Sequence, residues 1–407
     1  MKKYVSCVLL ILTLLFMTGI TGYAFLDKAT VSDSEQRELT KSPEFSFKAW
    51  SDTDFQKQLE AFIGDHVWKR ERFIALGKRI EGYLRLPGKS LILKDITEKD
   101  DGKNNNETEV MVLSDRIVPL YSHNDDNLVY FYESSSQLLK MVPEGINKYF
   151  MIPPGRIEYE EDEVKSMSGS AEYDSMLVYE NMDEEVTNVP VFEALREGLK
   201  EHDINEMYYC TDHHWSQLGA FYAAREFLKA AGKQEVRLED YERKQGYDFQ
   251  GYLTVKYGKE EVIAPDSLYY YVPKDGKICS EKVYWKDEKT GEVVLREEQV
   301  IDLYRGGYYT FVEKSQFAYA VIDGEKSDGS TLMLVSDSYG LALATWLVAE
   351  YDTIVIVDPR YYEGVDVQFY ELLSKYQVTD FLLCLQAEEM RVDLFNVKMM
   401  ENLLGVK

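Results

Sequence analysis

After about residue 110, short apolar runs alternate with longer segments whose apolar residues recur at helical spacing. Each run is long enough for one buried strand, and each longer segment would bury one face of a helix. This alternation predicts an α/β fold, in which helices cover both faces of a parallel sheet. The predicted strands are 148–152, 206–210, 331–335, 353–357 and 380–385, and the predicted helices are 127–141, 191–201, 215–231, 341–351 and 367–376.

Residues 233–325 break this alternation. They carry hairpin signals, such as Lys289-Thr290-Gly291 between polar and β-branched runs. We therefore predict a β-rich insertion at about 233–325 within a domain that covers 110–407. Residues 27–109 are predicted to form a stalk and an N-terminal helical segment, because the helical period begins only at Phe55.

The N-terminus carries an almost uninterrupted apolar run over residues 4–26, directly after Lys2 and Lys3. Such a run can span a bilayer, which needs about 20 apolar residues, and the two lysines favour a cytoplasmic start. We predict that residues 1–26 form a signal anchor, a transmembrane helix that makes this a single-pass cell-membrane protein. Its N-terminus would lie inside and the rest of the chain outside the cytoplasm. Cleavage at the weak small-residue site Gly22-Tyr23-Ala24 would instead give a secreted protein.

The charge balance limits the partners of the chain. The sequence has 46 Lys and Arg against 72 Asp and Glu, a net charge of −26. This charge repels phosphate backbones, so no nucleic-acid partner is predicted, while neutral substrates remain open. Beyond the apolar run the chain holds only three cysteines, an odd and small number, so disulfides are not predicted to be its main stabilisation. Their positions show no CxxC spacing, so no Cys-based metal site is predicted.

A polar cluster follows the predicted strand 206–210 and precedes the next helix. It contains Asp212, His213 and His214, and functional groups of open α/β sheets collect at the carboxyl ends of strands. Asp212 stands two residues before His214, so its carboxylate can accept a ring N–H and leave the other imidazole nitrogen as a base. The cluster is typical of general-base chemistry.

A second predicted strand-to-helix turn carries Ser336-Asp337-Ser338. A serine there places its hydroxyl at a helix N-terminus, where backbone N–H groups and the helix dipole can stabilise an oxyanion. Together the two turns supply a nucleophile, a base and an orienting acid at one edge of the sheet.

Two other interpretations of these residues stay open. One oxygen side chain at each turn could simply cap the helix that follows, Thr211 or Asp212 at the first turn and Ser336 or Asp337 at the second. The Asp-His-His cluster could instead bind a metal ion, because these are acceptable ligand types. Adjacent residues, however, rarely direct both rings to one ion.

The motif Asp212-His213-His214-Trp215 resembles the signature that names the DHHW proteins. These are similar to the alginate O-acetyltransferase-type enzymes of the SGNH (GDSL-like) hydrolase superfamily. Residues 35–43 and 61–72 are also similar to regions of such proteins, so the resemblance covers nearly the whole chain. It departs from the pattern at Ser336, which replaces the Gly of a GDS block. The resemblance implies an SGNH-hydrolase-like parallel sheet with flanking helices.

The resemblance also implies roles for individual residues. Ser338 would be the nucleophile, His214 the general base and Asp212 its orienting acid, with no metal ligands. His213 holds the variable position of the motif and receives no catalytic role. The less specific candidates are Arg360, Tyr339 and Gln386 as oxyanion-stabilising or substrate-orienting groups, and Trp215 as an aromatic beside the substrate. An ordinary ion pair with Asp358 is the alternative for Arg360, and core packing is the alternative for Trp215.

The function implied by the resemblance is a membrane-anchored extracytoplasmic O-acetyltransferase or acetylesterase. It would act on a cell-surface glycan through the triad, without a cofactor, and a multi-pass membrane O-acyltransferase would supply acetyl groups as its partner. The alternative is a non-catalytic glycan-binding or scaffolding protein of a surface-polymer assembly. The distance from Ser338 Oγ to His214 separates the two interpretations, because catalysis needs it to be within about 3.5 Å.

Overall fold

The computed structural model describes residues 22–26, 31–32, 37–43, 54–67, 91–95, 108–274, 279–286, 293–301, 317–362, 368–392 and 394–405. The chain divides into two compact units, residues 1–88 with 254–262, and residues 89–253 with 263–407. Most of the predicted signal anchor, residues 1–21 of 1–26, lies outside the described residues. Among the residues that are described, no helix is both long enough and apolar enough to cross a bilayer.

The described residues of the first unit include a short hairpin and a helix, together with the larger part of a second, short helix, Tyr252–Tyr257. Strand β1 (Val31–Ser32) pairs antiparallel with β2 (Arg37–Glu38), and helix α1 covers Asp54–Asp65. The helix therefore begins where the helical period begins in the sequence. At its C-terminal end, Asp65 Oδ2 accepts hydrogen bonds from the backbone N–H of Thr40 (2.8 Å) and from its hydroxyl (2.7 Å).

Most strands and helices lie in the second unit. Its strands are β3 (Leu91–Asp95), β4 (Thr108–Val112), β5 (Ile117–Pro119), β6 (Asn147–Met151), β7 (Val186–Val189), β8 (Tyr241–Phe249), β9 (Asp266–Pro273), β10 (Cys279–Lys286), β11 (Val293–Ile301), β12 (Tyr319–Asp323), β13 (Thr331–Ser336), β14 (Thr353–Val357) and β15 (Asp380–Cys384). The α-helices after α1 are α2 (Asp125–Met141), α3 (Asp162–Lys165), α4 (Ala171–Asn181), α5 (Val191–Gly198), α6 (Ile204–Met207), α7 (Gln217–Ala230), α8 (Tyr252–Tyr257), α9 (Tyr339–Leu347), α10 (Phe369–Lys375) and α11 (Leu394–Lys398). Single 3₁₀ turns cover Arg156–Tyr159, Leu238–Asp240, Pro359–Tyr361 and Ala387–Met390, and a π-helical turn covers Met399–Leu403.

An eight-stranded sheet forms the centre of this unit, with the strand order β11-β10-β12-β14-β13-β15-β6-β7. The five strands from β14 to β7 are parallel to one another. Strands β12, β10 and β11 extend the sheet beyond β14 in antiparallel fashion. The prediction of a parallel sheet with flanking helices is thus confirmed for its larger part, and strands of segment 233–325 complete one edge. The hairpin β8–β9 and the meander β3-β4-β5 form separate antiparallel sheets.

Strand β13 shows why short apolar runs predict this sheet. All six of its residues are buried, as expected for a central strand whose two faces are both covered. Successive side chains of a strand point to opposite faces. Accordingly, Leu332 and Leu334 belong to one hydrophobic core, and Met333 and Val335 belong to the other.

The prediction of a strand at 206–210 is wrong. Residues Ile204–Met207 form a single helical turn instead, because the Asp203 side chain accepts the N–H of Asn205 and caps it. Tyr208 then makes one isolated antiparallel bridge with Trp215. The place beside β6 is taken by β7, a partly exposed edge strand whose mixed sequence Val-Thr-Asn-Val gives no apolar run.

Candidate active site

Ser338 lies at the turn between β13 and α9. Its backbone occupies the N-cap position of α9 with φ −62° and ψ −20°, but its side chain makes no capping hydrogen bond. Asp337 stabilises the turn instead, because its Oδ1 accepts the Tyr339 N–H (2.8 Å) and its Oδ2 accepts the Gln386 N–H (2.7 Å). Asp337 thus holds the turn from the position before the N-cap, and the hydroxyl of Ser338 can serve another purpose.

The Ser338 hydroxyl meets the Asp-His-His cluster. His214 Nε2 lies 2.7 Å from Ser338 Oγ, and His214 Nδ1 lies 2.6 Å from Asp212 Oδ1. Asp212 and His214 are almost fully buried, with 3% and 5% of their surface exposed. With a proton on Nδ1 donated to Asp212, Nε2 can accept the hydroxyl proton, which is the arrangement of a Ser-His-Asp triad.

The local sequence explains the conformation of this loop. Asp212 Oδ1 also accepts the backbone N–H of His214 (3.1 Å), an Asx turn that brings the two side chains together. Ser216 is the N-cap of α7, where its hydroxyl accepts the N–H groups of Leu218 and Gly219. Neither Thr211 nor Asp212 caps this helix, so that alternative is wrong.

Aromatic side chains pack around the triad. Trp215 is 2% exposed and donates its indole N–H to the Tyr339 carbonyl (3.2 Å). Tyr339 is 1% exposed, and its hydroxyl donates to the carbonyl of His213 (2.6 Å). The centroids of the His213 and His214 rings lie 3.9 Å apart, with the ring planes tilted by 38°. The burial of Trp215 and Tyr339 fits packing against the triad, the alternative given for Trp215. The roles of Trp215 and Tyr339 toward a substrate stay predictions.

Arg360 and Gln386 lie behind the turn that carries Ser338. The guanidinium of Arg360 forms a two-point ion pair with Asp358, with Nε–Oδ1 at 3.0 Å and Nη2–Oδ2 at 2.6 Å. Gln386 reaches the turn through its backbone N–H, on Asp337. In the described part of the chain, no hydrogen bond joins either side chain to Ser338, so their predicted roles stay predictions.

Two buried carboxyl groups lie next to this turn. Burial raises the pKa of Asp337, although the Gln386 N–H and the charge of Arg360 oppose the rise. Burial also raises the pKa of Glu389, and the negative charge of Asp337 adds to this rise. Both groups therefore hold a proton more readily in the folded protein than in the unfolded chain.

Replacing Glu389 tests this conclusion. A group whose pKa is raised by folding stabilises the protein at low pH and loses this contribution as pH rises through its folded pKa. We therefore expect the thermal midpoint to decrease as the pH rises from about 5 to about 8. In Glu389→Gln, this decrease of the midpoint with pH should be smaller. Melting curves across this range check it, with the exposed Glu371→Gln as the matched control. An unchanged slope in Glu389→Gln would contradict the assignment.

Gly340, in the first turn of α9, gives a second stability prediction. A Cβ there would lie 2.1 Å from Ser336 Oγ and 2.5 Å from Ser336 Cβ. Such overpacking costs about 1–3 kcal/mol, so Gly340→Ala should lower the free energy of unfolding by that amount. Denaturant titration measures it. Gly155→Ala is the control, because a Cβ at Gly155 meets nothing within 4 Å.

The same contact predicts a rescue. Ser336→Gly removes the two atoms that a Cβ at Gly340 would approach too closely, and the third neighbour, Leu334 Cδ2 at 3.4 Å, is in ordinary van der Waals contact. Gly340→Ala should therefore cost much less in a Ser336→Gly background. An equal cost in both backgrounds would show that the close approach of Ser336 is not the cause.

The side chains of the Asp-His-His cluster are also close enough together to hold a metal ion. Ligand atoms of Asp212, His213 and His214 lie within 4.8 Å of one another. However, Asp212 Oδ1 is engaged by His214, and its Oδ2 accepts the N–H of Tyr252 (2.8 Å). An ion would have to displace these hydrogen bonds together with that of Ser338. The observed contacts therefore favour the triad over the metal site.

Several residues that hold this loop were missed by the sequence analysis. Asp266 accepts hydrogen bonds from Cys210 and Thr211, and Gly251 donates its N–H to the Thr211 hydroxyl. They lie about 40 to 55 positions from the loop in sequence, and no local pattern marks them. Their contacts become visible only in the folded chain.

The sequence comparison agrees with the loop at the centre of this site. Residues 101–357 match the profile of the DHHW family, described as DHHW protein. This stretch is more than half of the chain. The chain belongs to the DHHW family. Among curated protein sequences, none is similar enough to count as a match.

Solved structures with the same fold include another DHHW protein. The DHHW family protein from Eubacterium siraeum is 23% identical, with a TM-score of 0.60 over 74% of this chain and 98% of that one. PatB1 from Bacillus cereus with a sulfonyl adduct is 18% identical, with a TM-score of 0.54 over 76% of this chain and 98% of that one. At these identities the similarity shows a shared fold.

Proposed function

We propose that this DHHW protein is a serine-dependent O-acetyltransferase or acetylesterase. The observation that carries the proposal is the chain of two short hydrogen bonds from Ser338 Oγ through His214 to Asp212, at 2.7 Å and 2.6 Å. Both distances fall within the reach that proton transfer requires. A non-catalytic glycan-binding protein would have no need for this alignment of a hydroxyl, an imidazole and a buried carboxylate.

In the proposed mechanism, His214 Nε2 takes the proton of Ser338 while Oγ attacks the acetyl carbonyl. The tetrahedral intermediate collapses to an acetyl-enzyme, and the leaving alcohol receives the proton from His214. A sugar hydroxyl then attacks the acetyl-enzyme in a transferase, or water does so in an esterase. His214 removes the proton of this second nucleophile and returns it to Ser338. No cofactor takes part in this scheme.

The start of α9 supplies a group for the oxyanion. The N–H groups of Tyr339 and Gly340 are engaged by Asp337, one by its side chain and one by its carbonyl. The N–H of Ser338 directly precedes these two in the chain, and it lies at the positive end of the helix dipole. It is our candidate donor to the negative oxygen of the intermediate.

The SGNH-hydrolase relationship, the substrate and the location form part of the same proposal. The resemblance to alginate O-acetyltransferase-type enzymes supports an SGNH-like enzyme that acts on a cell-surface glycan. The apolar run at 4–26 supports a membrane anchor with the site outside the cytoplasm. A multi-pass membrane O-acyltransferase is the proposed supplier of acetyl groups. Protease digestion of intact cells tests the location, because an extracytoplasmic site would be cleaved without lysis.

The experiment that tests the reaction uses the full chain in detergent with p-nitrophenyl acetate as the acetyl donor. Nitrophenol release reports acylation, and mass spectrometry of an added neutral oligosaccharide reports transfer. Acetylated sugar would show a transferase, and acetate without acetylated sugar would show an esterase. A folded protein that releases no nitrophenol above the blank would overturn the enzymatic proposal in favour of glycan binding.

A further inference from the structure

Asp266, the first residue of β9, is a buried carboxylate that faces the backbone of the loop before Asp212. Its Oδ1 accepts the Cys210 N–H (2.9 Å), and its Oδ2 accepts the Thr211 N–H (2.8 Å). The Thr211 hydroxyl donates a further hydrogen bond to Oδ2. All three donors belong to the two residues that directly precede the acid of the triad.

The residues after β8 hold the same loop from another side. The Gly251 N–H donates to the Thr211 hydroxyl oxygen (2.8 Å), and the Tyr252 N–H donates to Asp212 Oδ2 (2.8 Å). A Cβ at Gly251 would lie 2.5 Å from Asp212 Cβ. The hairpin β8–β9 and its connection therefore fix three consecutive residues of the loop, Cys210 to Asp212.

The ionised carboxylate of Asp266 is electrostatically disfavoured at this position. Burial raises the pKa of Asp266, the charge of Asp212 raises it further, and the hydrogen bonds from Thr211 and Cys210 oppose the rise. The carboxylates of Asp266 and Asp212 are thus close enough for their negative charges to repel each other. Charged acceptors make stronger hydrogen bonds to N–H groups than neutral ones do. Asp266 therefore holds the loop more rigidly than a neutral acceptor would, although burial and the nearby charge of Asp212 disfavour its ionised form.

We propose that Asp266 is a positioning residue, which holds Asp212 and, through it, the His214 ring against Ser338. The inference rests on the proposed function, because it concerns how the nucleophile is kept active. It also gives the β-rich segment 233–325 a role, since the hairpin β8–β9 within it would be part of the framework of the triad.

The test measures the reactivity of Ser338 directly. Phenylmethylsulfonyl fluoride forms an O–S bond with an activated serine, releases fluoride and leaves the hydroxyl proton on the base. For Asp266→Asn we expect the rate of Ser338 sulfonylation to fall at least about tenfold, since small displacements of reacting groups carry penalties of this size or larger. With p-nitrophenyl acetate, kcat should fall similarly while KM changes little. Labelling is measured well below the thermal midpoint of each variant, so that unfolding does not contribute.

Two further variants make the result specific. Asp248→Asn is the matched control, because Asp248 lies on β8 of the same hairpin, is exposed and accepts only the Ser267 hydroxyl among the described residues. Its labelling rate should equal that of the wild type. Thr211→Val removes the hydroxyl between Asp266 and Gly251, so it should also slow labelling. If Asp266→Asn does not fold, the labelling rate of Thr211→Val tests the positioning role instead.

The outcomes separate this inference from the proposed function. Wild-type labelling at Ser338, with unchanged rates in folded Asp266→Asn or in Thr211→Val, would overturn the positioning role and leave the nucleophile in place. No labelling of wild-type Ser338 would overturn the proposed function and the inference together. Slow labelling in Asp266→Asn with a normal rate in Asp248→Asn is the expected result.

Discussion

Replacing Ser338 by alanine should lower the rate of p-nitrophenyl acetate turnover at least about 1000-fold, because the protein loses the group proposed to carry the acetyl. The side chain makes no capping hydrogen bond, and its hydrogen bond to His214 Nε2 is worth about 0.5–1.5 kcal/mol, so its removal should shift the thermal midpoint by no more than a few degrees. Nitrophenol absorbance and a melting curve on the same preparation measure both quantities.

A serine elsewhere on the protein provides the control for this variant. Ser374 lies exposed on α10, and Ser374→Ala should retain full turnover. Retention of more than a tenth of the activity in Ser338→Ala would exclude Ser338 as the nucleophile. Equal losses in both variants would point to an effect of the preparation and not of the site.

Replacing His214 by glutamine should lower kcat/KM about 100-fold to 10 000-fold, the range expected for removal of a general base. Glutamine has a similar reach but cannot take the proton from Ser338. His213 gives a closely matched comparison, because it is the adjacent residue and the centroid of its ring lies 3.9 Å from that of His214. His213→Gln should retain activity within about tenfold, since the nitrogen that faces the Ser338 hydroxyl at 2.7 Å belongs to His214.

This pair of variants separates the triad from the metal alternative. A metal held by the Asp-His-His cluster would need both rings as ligands, so both variants would lose activity to a similar degree. Treatment with a chelator would then also abolish turnover. We expect a large difference between the two variants and no effect of the chelator.

The central sheet could be predicted from the sequence because its strands are short and apolar along their length. Strand β14 occupies Thr353–Val357, the predicted range, and β13 and β15 differ from their predictions by one residue. The prediction failed at 206–210, where a capping Asp outweighs the apolar residues. It also missed β7, whose edge position does not require apolar side chains on both faces.

The candidate site was only partly predictable. The residue spacing suggested that Asp212 could orient His214, and the resemblance to DHHW proteins selected Ser338 as their partner. The burial of Trp215 and Tyr339 was not predictable, since aromatic residues suit a core as well as a sugar-binding surface. Asp266 could not be found at all, because its contacts join residues that are 55 positions or more apart.

The most direct test of the account is mass spectrometry of the protein quenched during reaction with p-nitrophenyl acetate. The account predicts an acetyl group on the peptide that contains Ser338, absent from Ser338→Ala and much reduced in His214→Gln. The adduct should decay as turnover proceeds. An acetyl group on another residue that persists in Ser338→Ala, or turnover without any adduct on Ser338, would contradict it.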